Sequence, residues 1–112
     1  MKTHRLHCQD PWFTLIRTGK KPVEGRKDLP KFQSWSIGDL LIFDLDHQSF
    51  RTRIVGLNRY KTLEDYLRTE TLERTLPGVK TIEEGILTYL KWSSREEIEK
   101  FGFLAIEIEL FP

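Results

Sequence analysis

Hydrophobic and polar residues alternate most regularly near the end of the chain. Residues 104–110 carry Leu or Ile at every second position, with Ala or Glu between them. This period of two predicts a β-strand with one buried face. Weaker alternation predicts strands over residues 3–8 and 50–60, and Gly56 interrupts the second of these in the manner of a bulge.

Two further segments are expected to be extended. Residues 40–43, Leu-Leu-Ile-Phe, form an apolar run too short for a helix, which we interpret as a strand buried on both faces. Residues 23–26 follow Pro22, which is tolerated at the start or the edge of a strand. The intervening residues 27–38 are predicted to form a loop.

One helix is predicted after the first strand and three after residue 61. Trp12, Leu15 and Ile16 share one helical face, and Gly19 ends that helix. The later helices each begin with a hydroxyl residue followed three positions later by a carboxylate, as in a capping box. These pairs are Thr62 with Asp65, Thr81 with Glu84, and Ser94 with Glu97.

The order of these elements indicates the fold class. Short strands with a glycine bend, and a last strand long enough to pair with an early one, suggest a small, mostly antiparallel β-barrel. Short helices pack on its open side, so the class is α+β. We expect one domain over residues 1–112, because 112 residues are too few for two independent cores.

Composition excludes several classes of protein. The chain is 38% hydrophobic and 12% aromatic, which is enough for one core and too much for a disordered segment. It has no apolar run of the roughly 18 residues that a membrane helix needs and no signal-peptide pattern, so we expect an intracellular, cytoplasmic protein without a membrane partner. A lone cysteine and three scattered histidines provide no metal-ligand set. We therefore expect no metal, no cofactor and, although the sequence does not determine the oligomeric state, a monomer.

Charge is unevenly distributed although the formal net charge is only +1. Residues 1–61 contain twelve Lys or Arg and six Asp or Glu, whereas residues 62–112 contain six and eleven. A nearly neutral chain of this kind can present a basic face to an anion, as nucleic-acid or phosphate binders do. The alternative is that opposite charges pair in the fold and cancel the field.

The densest polar segment is residues 19–26, Gly-Lys-Lys-Pro-Val-Glu-Gly-Arg. A glycine turn projects Lys20 and Lys21 at the helix exit, and Glu24 and Arg26 fall on the same face of an extended segment. If that face looks into a barrel, both charges enter a low-dielectric space in which each requires a partner. The alternatives are that they pair with each other or lie in solvent.

Cations and aromatic residues follow one another in this region, as in proteins that bind single-stranded nucleic acids. The cations are Lys20, Lys21, Arg26, Lys27 and Lys31, with Arg51, Arg53 and Arg59 as an extension, and the aromatic residues are Phe32 and Trp35. Alternatively, Phe32 and Trp35 plug the barrel mouth, because a small domain needs every large apolar side chain. Tyr89 and Trp92, three apart on a predicted helix, are expected in the core.

Four of these residues carry a resemblance to a known family. Gly19, Lys21, Glu24 and Arg26 fit the GxKxxExR signature of the ASCH family, single-domain relatives of the PUA-like RNA-binding fold. Three further landmarks resemble the family in order along the chain: residues 36–39 before a strand, 76–78 before a helix, and 101–108, which lead into the last strand. The resemblance implies a small β-barrel with the signature at the floor of a cleft that takes RNA or a nucleoside.

The resemblance also implies an alternative activity. Some small bacterial members of the family are amidohydrolases that remove the acetyl group of N4-acetylcytidine with a lysine, a threonine and a glutamate. Lys21 matches that lysine, but Glu24 stands at the threonine position, and Glu70 and Glu73 are the nearest candidates for the distant glutamate. A carboxylate beside Lys21 would also favour its protonated form, which is neither base nor nucleophile.

Three functions follow as hypotheses. The first is a domain that binds single-stranded RNA or a modified nucleoside in a basic cleft. Its site residues would be Lys20, Lys21, Glu24, Arg26, Lys27, Trp35, Arg51 and Arg53. The alternative is an N4-acetylcytidine amidohydrolase with Lys21 and Glu24 as its acid/base pair. A third hypothesis is an adaptor that binds another protein through its acidic helical half.

Overall fold

The structure of the chain, a computed structural model, describes residues 1–111. Its strands in chain order are β1 (Thr3–His7), β2 (Val23–Lys27), β3 (Leu40–Leu45), β4 (Gln48–Tyr60) and β5 (Phe103–Leu110). Its α-helices are α1 (Trp12–Arg17), α2 (Leu63–Glu70), α3 (Leu72–Thr75), α4 (Ile82–Tyr89) and α5 (Arg95–Phe101). A 3₁₀-helix covers Pro30–Ser34.

The strands form one sheet in the order β1-β3-β4-β5-β2. β1 and β3 are parallel, and the other neighbouring pairs are antiparallel. The sheet curls into a half-barrel, with β1 and β2 at its edges. The predicted α+β class and the mostly antiparallel sheet are confirmed, and the last strand does pair with the early strand β2.

The long strand β4 contains the bulge expected at Gly56. Its register with β5 shifts between Ile54 and Gly56. A Cβ atom at Gly56 would lie 3.0 Å from the Glu107 carboxylate, so the missing side chain lets the two strands approach closely.

The predicted starts of α2, α4 and α5 are confirmed by their caps. The hydroxyls of Thr62, Thr81 and Ser94 each accept a hydrogen bond from the backbone N–H three residues on. In α5 the Glu97 carboxylate also accepts from the Ser94 N–H, which completes a capping box. Ser94 and Glu97 therefore fix where α5 begins, directly after the segment that joins it to α4.

Two predictions about secondary structure were wrong. We expected three helices after residue 61, but residues 62–111 contain four. The additional helix is α3, which Thr71, with a φ of 73°, separates from α2. The expected loop over residues 27–38 also fails, since β2 continues through Lys27 and Pro30–Ser34 form the 3₁₀-helix. Proline fixes φ at the start of that helix, and the buried Phe32 anchors it to the core.

Two hydrophobic clusters lie on opposite faces of the sheet. Leu104 and Ile106 of β5 belong to the first cluster, and the alternating residues Phe103 and Ala105 belong to the second. α1 and the 3₁₀-helix contribute to the first cluster, whereas α2, α4 and α5 contribute to the second. Trp12 packs against both clusters and lines a cavity beside β2.

No helix within residues 1–111 has the length and apolar character needed to cross a membrane. In the same part of the chain, no group of three or more His, Cys, Asp or Glu side chains is placed to hold a metal ion.

Candidate functional site

The cavity beside β2 has a volume of about 290 Å³. β2 supplies one wall, and the others come from the segment before α1, the residues around the 3₁₀-helix and the segment between α4 and α5. Small-molecule sites in proteins run from roughly 300 to 1,000 Å³. This cavity is therefore suited to one small molecule or one unit of a polymer.

An ion pair between two residues of β2 lines the cavity. Arg26 donates from Nε and Nη2 to Oε2 of Glu24, at 3.1 and 2.8 Å, and Nη2 also donates to the backbone oxygen of His7 at 2.7 Å. The Glu24 side chain is 8% exposed and that of Arg26 is 29% exposed. The pair is thus largely removed from water. In this environment each charge requires the other as its partner.

Lys21 lies beside this pair and is almost completely buried. Its Nζ donates to the backbone oxygens of Val23, at 2.8 Å, and of Thr75, and it lies 3.5 Å from Oε1 of Glu24. Nζ is also 5.6 Å from the centre of the Trp12 ring. The three oxygens match the three N–H donors of an ammonium group, so protonated Lys21 has no donor left for a ligand.

These three charges shift one another's pKa values. Burial lowers the pKa of Lys21, and the Glu24 carboxylate opposes this shift only in part. Burial would raise the pKa of Glu24, but Arg26 and Lys21 outweigh it and hold that pKa below its ordinary value. Burial would lower the pKa of Arg26, and Glu24 in turn keeps it raised. Glu24 and Arg26 are therefore charged at neutral pH, and the cluster carries a net positive charge when Lys21 is protonated.

Cys8 also lines the cavity, with its thiol 3.9 Å from Oε2 of Glu24. Burial, aided by the Glu24 carboxylate, raises the pKa of this thiol to about 12. The thiolate is the nucleophilic form of cysteine, so Cys8 is unreactive at neutral pH.

The two lysines that line the cavity beyond Lys21 differ in what they contact. Lys27 Nζ lies 2.8 Å from a carboxylate oxygen of Glu97, and this contact, with the Ser94 N–H, holds the pKa of Glu97 at about 2. Lys31 is exposed, and its Nζ lies 5.2 Å from the centre of the Phe32 ring. The charge of Lys27 is thus balanced, whereas that of Lys31 faces solvent.

The cavity brings together half of the residues predicted for the site. Lys21, Glu24, Arg26 and Lys27 line it. The remaining four, which are Lys20, Trp35, Arg51 and Arg53, lie outside it.

Each of those four has a different position. Lys20 is exposed after the turn at Gly19. Trp35 stacks on His4, with ring centres 4.1 Å apart, and packs against the first cluster. The guanidinium groups of Arg51 and Arg53 lie over the Phe111 ring, at 5.2 and 5.1 Å from its centre.

Trp92 lines the cavity and contradicts the expectation that it lies in the core. Trp92 is 49% exposed, whereas Tyr89 is buried as expected. The physical reason is that α4 ends at Tyr89, so Trp92 lies beyond the helix in the segment that joins it to α5. The N-cap at Ser94 is a sequence signal for this position, because the helix before it must end ahead of residue 94 and therefore close to Trp92.

The two glutamates considered as hydrolase residues lie elsewhere. Glu70 is buried and accepts hydrogen bonds from Tyr60 and, at 3.3 Å, from Asn58. Glu73 is exposed. Neither lines the cavity, and Glu24 is the glutamate that does.

Comparisons with known proteins agree with this fold. A family model described as the ASCH domain matches residues 6–112. The crystal structure of the hypothetical protein PH0355 superimposes with a TM-score of 0.90 at 35% identity, covering 99% of this chain and 100% of that one. The solution NMR structure of protein PF0455 from Pyrococcus furiosus gives 0.79 at 34% identity, covering 99% and 98%. None of the curated proteins compared with the chain matches it. The chain belongs to the ASCH domain family.

Proposed function

We propose that this ASCH domain binds single-stranded RNA or a modified nucleoside by holding one nucleoside unit in the cavity beside β2. The observation that carries the proposal is the combination of the buried Lys21, Glu24 and Arg26 cluster with aromatic walls in a volume suited to one such unit. Cationic groups attract phosphates, and aromatic side chains stack on bases of any sequence. Membership of the ASCH family supports a role in RNA-related binding.

The placement of the cations favours one bound unit over a long tract of RNA. Arg51 and Arg53 lie away from the cavity, and the charge of Lys27 is balanced by Glu97. Few cations therefore remain near the cavity to contact phosphates on either side of the bound unit. We expect affinity for single-stranded RNA to be weak and to fall as salt concentration rises.

A matched pair of variants tests this proposal. Lys31→Ala and Arg53→Ala each remove one positive charge from an exposed residue, but only Lys31 lines the cavity. In titrations of a labelled single-stranded oligonucleotide, we expect Lys31→Ala to weaken binding several-fold and to reduce the salt dependence by about one counterion. We expect Arg53→Ala to bind as the wild type does.

Two results would contradict the proposal. One is the absence of RNA and nucleoside binding by the wild type at low salt. The other is an equal loss in both variants, which would transfer binding to the surface that carries Arg53.

A second candidate function is the amidohydrolase. The burial of Lys21, which lowers the pKa of its amine, favours this candidate because a catalytic lysine must lose its proton. Against it stand the three oxygens around Nζ, which match a protonated amine. Assay of N4-acetylcytidine hydrolysis separates the two functions.

A further inference from the structure

Trp92 is unusually exposed for its size and position. It is the one aromatic residue among the exposed large hydrophobic side chains of residues 1–111, and it lines the cavity. A small domain gains stability by burying such a side chain, so leaving it half in water costs free energy of folding. Exposed tryptophans of this kind are characteristic of binding surfaces.

The backbone around Trp92 is fixed, whereas the indole has a free face. The N–H groups of Trp92 and Ser93 both donate to the backbone oxygen of Tyr89, at 3.1 and 3.2 Å. Within residues 1–111 the indole makes no ring stacking, cation or hydrogen-bond contact, whereas Trp12 contacts Lys21 and Trp35 stacks on His4. The free face of the Trp92 indole is therefore positioned to stack on a ligand.

Arg26 provides the complementary polar group. Its Nε and Nη2 hydrogens are donated to Glu24 and to the His7 backbone oxygen. Nη1 donates to no acceptor within residues 1–111. Every fully buried side-chain nitrogen in this part of the chain has a hydrogen-bond partner, so Nη1 is at least partly exposed to solvent. Its two N–H donors are free to bind a ligand oxygen.

The carboxylate next to these donors already has partners of its own. The Glu24 oxygens are engaged by Arg26, by Lys21 and by the Cys8 thiol. A ligand oxygen or ring nitrogen that accepts a hydrogen bond therefore matches the free donors of Arg26.

We infer that a nucleobase held in this cavity stacks on Trp92 and accepts a hydrogen bond from Arg26 Nη1. This inference rests on the proposed function and specifies how its ligand is held. Uracil, cytosine and guanine can accept through a carbonyl oxygen, and adenine can accept through a ring nitrogen. Trp92 and Arg26 are thus binding residues.

The experiment compares uridine, cytidine, guanosine and adenosine with wild-type protein and three variants. Trp92→Ala removes the stacking surface, Trp92→Phe keeps an aromatic ring, and Leu87→Ala truncates an exposed apolar residue of α4 that does not line the cavity. Binding is followed by calorimetry and by the NMR signal of the Trp92 indole N–H. This signal is assigned as the one that is missing from the spectrum of Trp92→Phe.

We expect Trp92→Ala to weaken binding of uridine at least about fivefold, and Trp92→Phe to weaken it less. Leu87→Ala is expected to bind as the wild type does. All four nucleosides are expected to show the same ranking of the variants, because every base can stack on Trp92 and accept from Arg26.

The outcomes separate the two proposals. If nucleosides bind but Trp92→Ala retains wild-type affinity, this inference is wrong and the proposed function stands. If the wild type binds none of the four nucleosides and no RNA, the proposed function is wrong and the inference falls with it.

Discussion

Glu24 is the residue on which the character of the cavity depends. Its carboxylate forms an ion pair with each of two neighbouring cations, Arg26 and Lys21. Because the group is almost fully buried, its charge is tolerable only while Arg26 and Lys21 remain in place. Glu24 thereby stabilises the cluster and, at the same time, keeps a proton on Lys21 energetically favourable.

Single alanine variants of Glu24 and Arg26 are expected to destabilise the fold strongly. Removing Glu24 leaves two buried or half-buried cations without their carboxylate, and removing Arg26 leaves the buried Glu24 with Lys21 as its remaining cation. The loss of such a partner costs about 3–5 kcal/mol in the free energy of unfolding. The double variant should lose less than the sum of the two singles, because neither Glu24 nor Arg26 then remains without the other. Urea unfolding of the wild type and the three variants measures this coupling. Additive losses would mean that the contact between these side chains does not contribute to stability.

At the scale of the element, β2 is the strand on which the site is built. It pairs with β5 on one side, and its residues face both the cavity and the helical cluster. Gly25 lies between Glu24 and Arg26, with its α-carbon directed at Tyr66 and Phe103. Close approach of α2 to β2 therefore depends on the absence of a side chain at residue 25.

Gly25→Ala is expected to destabilise the protein more than Gly56→Ala. A Cβ atom at residue 25 would overlap the Tyr66 hydroxyl and lie 2.7 Å from the Phe103 ring, both of which are buried. At residue 56 it would meet the flexible carboxylate of Glu107 at 3.0 Å. Overpacking of a core costs about 1–3 kcal/mol, so thermal unfolding should show a clear loss for the first variant and a smaller one for the second. Equal melting temperatures for the two variants would refute this account of β2.

Local patterns in the sequence predicted those elements that neighbouring residues determine. Helix caps depend on residues three apart, and strand faces depend on alternation, so the starts of α2, α4 and α5 and the face shared by Glu24 and Arg26 were predictable. The break at Thr71, which creates α3, was not, because a positive φ at a threonine has no sequence signal.

The composition of the site depended on tertiary structure that local patterns do not contain. Arg51 and Arg53 alternate with the buried Thr52 and Ile54, so they face outward, but which surface then lies near the cavity depends on the curl of the sheet. Trp92 was missed because helical spacing was extended past the end of α4. Three cavity residues, Lys21, Glu24 and Arg26, were identified because they fall within one short motif.

At the scale of the whole molecule, the uneven charge of the two halves is largely preserved in the fold. Most ion pairs of residues 1–111 join residues of the same half, such as Arg59 with Asp28 and Arg95 with Glu64. Lys27 and Glu97 connect the halves, close to the cavity. The site therefore lies where a basic part of the chain meets an acidic part. The acidic part weakens the electrostatic attraction of the site for phosphate groups.

Hydrolysis of N4-acetylcytidine would require the whole fold to bring a lysine, a hydroxyl residue and a second carboxylate to one place. This fold supplies Lys21 and Glu24 to the cavity, but Glu70 is bound to Tyr60 and Glu73 lies in solvent. We therefore expect the wild type to release cytidine slowly or not at all. Glu24→Thr should free the Lys21 amine from an opposite charge, yet leave the cavity without any carboxylate from residues 1–111 to move a proton.

Chromatography of N4-acetylcytidine incubated with wild type, Glu24→Thr and Lys21→Ala tests this expectation, with circular dichroism to verify that each variant folds. The expected result is that no form exceeds the uncatalysed rate by more than a small factor. Rapid turnover by the wild type that Lys21→Ala abolishes would establish the amidohydrolase instead. In that case the lowering of the Lys21 pKa by burial would outweigh the attraction of Glu24, and the amine would act in its neutral form.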